Sequence, residues 1–157
     1  MFQNCDAMAN ITLPDGLVKL QEGAFWDCDS LTEITIPDSV TELGSQVFFG
    51  CDSLINAEIG SGIKVLPSRS YNYWEDYSNW GGDDSVNGCF EGCVSLLTVS
   101  MGSSVETIQY DCFAGCGLAT VTLTDSVTTL NEYAFANCKV MTSFTTGAGL
   151  VTIGSSS

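Results

Sequence analysis

The chain has 157 residues and a mass of 16.7 kDa; 45% of its residues are hydrophobic and 15% are charged, which is enough apolar material for one domain with a buried core. Nineteen acidic against four basic residues give a net charge of −15, which disfavours nucleic acid and anionic membranes as partners. The sequence contains no histidine, the commonest general base and metal ligand, and no apolar run approaches the roughly 18–20 residues of a membrane span. We therefore expect no enzyme activity, no cofactor, no nucleic acid partner and no membrane insertion.

A short internal repeat organises the sequence. Six phenylalanines recur at nearly even steps, apart from one longer step, and each is followed three places later by a cysteine. They are Phe2, Phe25, Phe48, Phe90, Phe113 and Phe135. Seven apolar positions recur in the pattern F-x-x-C-x-x-L-x-x-I-x-I-P-x-x-V-x-x-L, and 41 of these 42 positions are apolar, with only Thr146 departing. Because a unit of about 23 residues cannot bury its own apolar residues, the units are expected to stack into a solenoid with one shared core.

Each unit contains the same predicted elements in the same order. Two apolar residues, two places apart and usually followed by proline or glycine, predict a short strand. In chain order these pairs are Ile11/Leu13, Ile34/Ile36, Ala57/Ile59, Val99/Met101, Val121/Leu123 and Phe144/Thr146. The next apolar pair, such as Val40 and Leu43, predicts an extended or turn-like second edge, and the segment 48–51 predicts one helical turn. The expected fold is α/β but β-rich, with a parallel sheet on one face of the solenoid.

The repeat resembles a known family. The segment 28–48, CDSLTEITIPDSVTELGSQVF, is similar to the unit C-x-x-L-T-x-I-x-I-P-x-S-V-T-x-I-G-x-x-A-F of BspA-like, treponemal-type leucine-rich repeat proteins, and 116–135 matches with one residue missing after Cys116. The resemblance implies a right-handed leucine-rich-repeat solenoid of six units in a single domain, 1–157. It also implies an extracellular or cell-surface protein, of bacterial or protist type, that binds other macromolecules.

An insertion loop at 67–88 interrupts the repeat after the third unit, where Leu66 and Phe90 stand much further apart in the sequence than Leu43 and Phe48. It carries five aromatic residues, Tyr71, Tyr73, Trp74, Tyr77 and Trp80. Flat aromatic side chains on a long loop can stack on sugar rings or contact a partner protein. Alternatively, the loop covers Trp26 and Phe49, which directly follow the core phenylalanine in two adjacent units. Both interpretations remain open.

The outward positions of the predicted strands form the second candidate binding surface. They include Glu33, Thr35, Asn56, Glu58, Thr98, Ser100, Thr120 and Thr122. A flat polar face of this kind is what a repeat protein uses to hold a large partner. Threonine at these positions is equally typical of simple β-propensity, so that alternative stays open.

Six of the eight cysteines fill one position of the repeat, which predicts free thiols buried in the core. Disulfides between stacked neighbours are the alternative. Two metal sites are weaker alternatives. They are a zinc site at Cys89, Cys93, Cys112 and Cys116, and a calcium site at Asp83, Asp84 and Asn87. The zinc site would use cysteines that the core already explains, and the calcium site lacks the spacing of a calcium-binding loop. We expect no metal.

Two functions fit these observations. The first is a non-catalytic binding or adhesion module that engages a protein or glycan through the strand face and the insertion. The second follows from the uncapped ends, because residues 2–157 make a whole number of units and a further copy could continue the coil in phase. In that case the chain is a subunit that stacks head to tail into an extracellular filament or surface layer, unless it is one piece of a longer repeat protein.

Overall fold

The computed structural model describes residues 2–68 and 87–155, and within these ranges it contains short strands, turns and no helix. The strands are β1 (Lys19–Leu20), β2 (Glu33–Ile36), β3 (Glu42–Leu43), β4 (Asn56–Ile59), β5 (Val65–Leu66), β6 (Thr98–Ser100), β7 (Thr107–Ile108), β8 (Thr120–Thr122), β9 (Thr129–Leu130), β10 (Ser143–Thr145) and β11 (Thr152–Ile153). All strand pairs are parallel, and partners lie one repeat apart. The β-rich leucine-rich-repeat solenoid predicted from the sequence is therefore confirmed.

The first strand series consists of β2, β4, β6, β8 and β10, and it carries the apolar pairs found in the sequence. Ile34 and Ile36 point into the core, whereas Glu33 and Thr35 between them are exposed. Strands β2, β4 and β6 form one ladder, and β8 pairs with β10. β8 lies beside β6 without a ladder between them, and this break coincides with the residue missing after Cys116. The strand predicted at Ile11/Leu13 is not formed.

The second strand series consists of β1, β3, β5, β7, β9 and β11, where the sequence predicted an extended or turn-like edge. It is a true ladder, except between β3 and β5. The residue after β3, β7, β9 and β11 donates its N–H to the preceding coil, as from Gly44 to Leu20 at 2.8 Å and from Gln109 to Leu66 at 2.9 Å. Pro67 occupies this position after β5 and has no N–H to donate. Pro67 therefore accounts for the missing pairing between β3 and β5.

The six phenylalanine rings form one continuous stack through the core. Successive ring centroids lie 5.5, 5.4, 5.1, 5.3 and 5.1 Å apart, and neighbouring planes differ by at most 13°. The spacing matches the distance between neighbouring strands, so each coil places its ring directly over the previous one. The insertion between Phe48 and Phe90 does not disturb the step.

The helical turn predicted at 48–51 is wrong. Instead, each phenylalanine of the stack is followed two places later by a residue with positive φ, and four of the six also have one two places before them. The later position is Asn4, Asp27, Gly50, Gly92, Gly115 or Asn137, and the earlier one is Gly23, Gln46, Asp111 or Tyr133. Glycine, asparagine and aspartate tolerate this left-handed conformation best, and a left-handed residue ends a helix rather than continuing it. The chain therefore turns a corner at each phenylalanine.

In the terminal coils, side chains at core positions of the repeat are partly exposed to solvent. Phe2 is 46% exposed, Phe144 is 37% exposed and Ile153 is 62% exposed, whereas Phe48 and Phe90 are fully buried. The Phe144 ring packs edge-on against Phe135 at 5.1 Å, so it does not add a further member to the stack. Apolar burial is thus concentrated in the four inner coils.

Candidate binding face on the first strand series

The candidate strand residues form two exposed rows in register. Glu33, Asn56 and Thr98 are direct partners on β2, β4 and β6. The second row joins Thr35, Glu58 and Ser100 on the same strands. The β8 residues Thr120 and Thr122 lie on the neighbouring coil and are also exposed. The structure therefore brings these eight predicted residues onto one polar face, which we call the strand face.

Cross-strand hydrogen bonds order part of the strand face. The Thr98 hydroxyl donates to Asn56 Oδ1 at 2.5 Å, and the Thr35 hydroxyl donates to Glu58 Oε2 at 3.2 Å. Such polar pairs between strands stabilise a sheet modestly. They also hold the side chains of adjacent coils in fixed relative positions.

A shallow open depression of about 710 Å³ continues the strand face beyond the ends of β2, β4 and β6. Its lining includes Asp15, Asp38, Ser61 and Ser103, together with Glu58 from the strand face. The Asp38 carboxylate accepts the Ser61 N–H at 2.7 Å, which ties two coils together at this corner. These corner residues, apart from Glu58, were not among the sequence candidates.

Two glycines form the floor of the depression. Gly60 and Gly102 stand where the first two units have Pro14 and Pro37. A Cβ on Gly102 would overlap the Gly60 carbonyl oxygen, and one on Gly60 would lie 2.5 Å from the Pro37 carbonyl carbon. The coils approach too closely here for side chains. The change from proline to glycine was the sequence signal for this feature.

The aromatic insertion residues, Tyr71, Tyr73, Trp74, Tyr77 and Trp80, lie outside the described residues. The two ends of the insertion meet in an antiparallel bridge between Ser68 and Gly88, and the Gly88 N–H donates to Glu91 Oε2 at 2.9 Å. Trp26 and Phe49 lie side by side as the repeat predicts, with ring centroids 5.5 Å apart in an edge-to-face arrangement. Both are half-buried.

The six cysteines that stand three places after the stacked phenylalanines, which we call the cysteine column, have a structural role that the spacing alone did not reveal. Five of the six thiols donate to the phenylalanine carbonyl of the preceding coil, at distances of 2.9–3.2 Å. The donors are Cys28, Cys51, Cys93, Cys116 and Cys138, and all eight cysteines are free thiols. Burial raises the pKa of the Cys51 thiol to about 12, and it also raises the pKa of Cys93 and Cys112. These groups remain protonated, as a hydrogen-bond donor must.

Residues 2–68 and 87–155 contain neither a metal-ligand cluster nor a membrane-spanning helix. No group of three or more potential ligand side chains is placed there to hold a metal ion, and this includes the four cysteines of the zinc interpretation. Asp83 and Asp84 of the calcium interpretation lie outside these ranges. Nor does this part of the chain contain a helix that could cross a membrane.

Stacked parallel strands, a short regular repeat and an exposed polar strand face define a leucine-rich repeat protein. The family model described as "BspA type Leucine rich repeat region" matches in six copies over residues 1–80 and 85–157. The chain belongs to this family of BspA-type leucine-rich repeats, as its sequence pattern indicated.

Solved bacterial proteins share the fold. A leucine-rich cell surface protein from Faecalibacterium prausnitzii is 29% identical with a TM-score of 0.70, and the match covers 85% of this chain and 31% of that one. A leucine-rich repeat protein from Bacteroides ovatus is 25% identical with a TM-score of 0.66, over 82% and 29%. A Treponema pallidum leucine-rich repeat protein is 28% identical with a TM-score of 0.55, over 73% and 45%.

The chain therefore spans less than half the length of each of these three proteins. No curated protein matches its sequence.

Proposed function

We propose that this chain is a non-catalytic binding or adhesion module of a surface or secreted protein, and that it engages a protein or glycan through the strand face. The observation that carries the proposal is the alignment of six exposed polar residues in two rows across β2, β4 and β6, with Thr120 and Thr122 exposed on the neighbouring β8. A rigid repeated surface can make many weak contacts with a large partner, and none of them requires a reactive group. The cell-surface description of the Faecalibacterium protein supports an extracellular location.

A glycan and matrix-protein array probed with the purified chain tests this function. The variant Thr98→Arg/Thr120→Arg places two large side chains on the strand face and should abolish array binding. The matched variant Thr129→Arg/Thr152→Arg introduces the same residues on the second strand series and should bind like the parent. Equal binding by both variants would show that the strand face does not contact the partner.

The insertion is a second proposed contact. Trp74→Ala/Trp80→Ala should weaken array binding while leaving the melting temperature unchanged if these aromatics contact the partner. A lower melting temperature with intact binding would instead favour the loop as a cover for Trp26 and Phe49.

The filament alternative is supported by the exposure of Phe2 and Ile153 on the first and last coils. Head-to-tail stacking through these coils would bury both residues. Sedimentation velocity at increasing concentration tests it: a growing sedimentation coefficient would favour the filament, and a constant monomer value would exclude it.

A further inference from the structure

Charge is distributed differently on the two strand series. In the second series, the acids within or directly before the strands are Glu42 and Glu106, and each pairs with a lysine. Lys19 Nζ lies 2.6 Å from Glu42, and Lys64 Nζ lies 2.9 Å from Glu106. The charges of Glu42 and Glu106 are therefore compensated locally.

Among the residues that the structure describes, no lysine or arginine forms an ion pair with an acid of the first strand series. Glu33 and Glu58 are exposed on β2 and β4, and the segments EITI, NAEI, TVS, TVT and SFT contain no lysine or arginine. Their cross-strand partners are Asn56 for Glu33, and Thr35 and Ser100 for Glu58. The carboxylate of Glu58 accepts a hydrogen bond from Thr35, which leaves its charge in place.

The depression extends this negative region beyond the strand ends. Asp15 and Asp38 from the first two coils line it with Glu58, and no basic residue in ranges 2–68 and 87–155 lines it. The hydroxyls of Ser61 and Ser103 line its other part. Acids and hydrogen-bonding groups thus run across several coils at strand spacing, along a surface that is both open and concave.

We propose that the strand face, together with the depression, docks a basic extended polypeptide segment of a partner protein. This proposal rests on the binding function proposed above and specifies its partner. Lysine and arginine side chains spaced along such a segment would meet Glu33, Glu58, Asp15 and Asp38, while its peptide groups would meet the threonine and serine hydroxyls. The net charge of −15 would speed association with a basic partner.

Binding of a short synthetic peptide of alternating lysine and threonine, measured by isothermal titration calorimetry, tests the proposal. The peptide should bind the parent chain, and its affinity should fall as salt concentration rises, because exposed charges are screened. The variant Glu33→Gln/Glu58→Gln should bind about three- to tenfold more weakly, the range expected for two exposed ion pairs. An alternating glutamate and threonine peptide should not bind.

The matched variant Glu42→Gln/Glu106→Gln removes the same charge from the second strand series. It should keep the parent affinity within about twofold, whereas a response to net charge alone would weaken both variants equally. Equal weakening, or no binding of the lysine peptide to the parent, would overturn the proposal. Circular dichroism melts of all variants check that each is folded.

The array experiment separates this proposal from the function on which it rests. If the arginine variant Thr98→Arg/Thr120→Arg loses binding to a neutral glycan or an acidic protein while the lysine peptide does not bind, the binding function stands and the basic partner is wrong. If Thr98→Arg/Thr120→Arg also binds the array ligand like the parent, while the lysine peptide does not bind, both proposals fail.

Discussion

At the residue scale, three positions around each phenylalanine determine the shape of the coil. The phenylalanine supplies the stacked ring, the cysteine three places later donates to a carbonyl of the preceding coil, and the residue just before that cysteine takes a positive φ. These roles explain why the residue types recur. Glycine, asparagine and aspartate alternate at the positive-φ position because each tolerates that conformation.

Asp27 occupies the positive-φ position two places after Phe25, and the pKa of its carboxyl is raised. Burial is the main cause, the hydrogen bond from Trp26 opposes it, and the charges of Asp29, Asp52 and Asp6 add to it. A carboxyl whose pKa is higher in the folded state binds protons better when folded. The contribution of Asp27 to the free energy of unfolding therefore increases as pH falls towards the ordinary pKa of 3.8. This contribution is lost as pH rises through the pKa of the folded state.

The variant Asp27→Asn should consequently melt about 1–3 °C higher than the parent at pH 7, with the two converging near pH 4. Asparagine fits the position, since Asn4 and Asn137 hold it in other coils. Differential scanning calorimetry at both pH values measures the effect. Glu132→Gln controls for the loss of one exposed charge, and a lower melting temperature for Asp27→Asn at pH 7 would contradict the argument.

Thiol reactivity tests the cysteine column. Only the thiolate reacts, so buried thiols with a raised pKa should resist Ellman's reagent at pH 8 in the native protein. We expect at most the half-buried Cys5 and Cys138 to react, and all eight cysteines to react in guanidinium without reductant. Rapid native reaction of six thiols would contradict the buried column, and fewer than eight in denaturant would indicate disulfides.

At the scale of the element, each strand is only two to four residues long and depends on its neighbours in adjacent coils. Interruptions of the ladders have local causes. Pro67 lacks the N–H that the second strand series uses, and the residue missing after Cys116 coincides with the gap between β6 and β8. The elements are therefore set by the repeat rather than by the propensity of any one segment.

Close approach of the coils at the depression gives a prediction with a matched control. Gly102→Ala should destabilise the protein by about 1–3 kcal/mol, because its Cβ would overlap the Gly60 carbonyl. Gly16→Ala has no atom within 4 Å of the added Cβ and should be neutral or slightly stabilising. Urea unfolding compares the two, and similar midpoints would show that the depression is more loosely packed.

The repeat spacing was sufficient to predict the stacked core, the strand face and five of the six strands expected in the first series, whereas the strand at Ile11/Leu13 is not formed. It could not predict the corners, because the glycine, asparagine or aspartate two places after each phenylalanine was interpreted as part of an ordinary helical turn. The depression was also missed, since Gly60 and Gly102 were interpreted, like proline, only as residues that end a strand. The depression depends on distances between coils, which a one-dimensional pattern does not contain, and the corners depend on backbone φ angles, which the residue types permit but do not fix.

At the scale of the whole molecule, one continuous core joins all coils, and burial decreases towards the two terminal coils. A substitution in an inner coil should therefore cost more than the same substitution in a terminal one. Phe48→Ala should lower the free energy of unfolding by about 3–5 kcal/mol, the range for a fully buried phenylalanine. Phe2→Ala should cost clearly less, since Phe2 is 46% exposed. Equal losses in urea unfolding would argue against a stacked core.

The central claim is that the coils stack in register, since this places the strand face and the depression. Nuclear Overhauser effects between phenylalanine rings, in protein labelled selectively at phenylalanine, test it most directly. Ring centroids 5.1–5.5 Å apart predict contacts that link Phe2, Phe25, Phe48, Phe90, Phe113 and Phe135 one after another. Contacts between rings two or more coils apart, such as Phe25 with Phe113, would contradict the stacked solenoid.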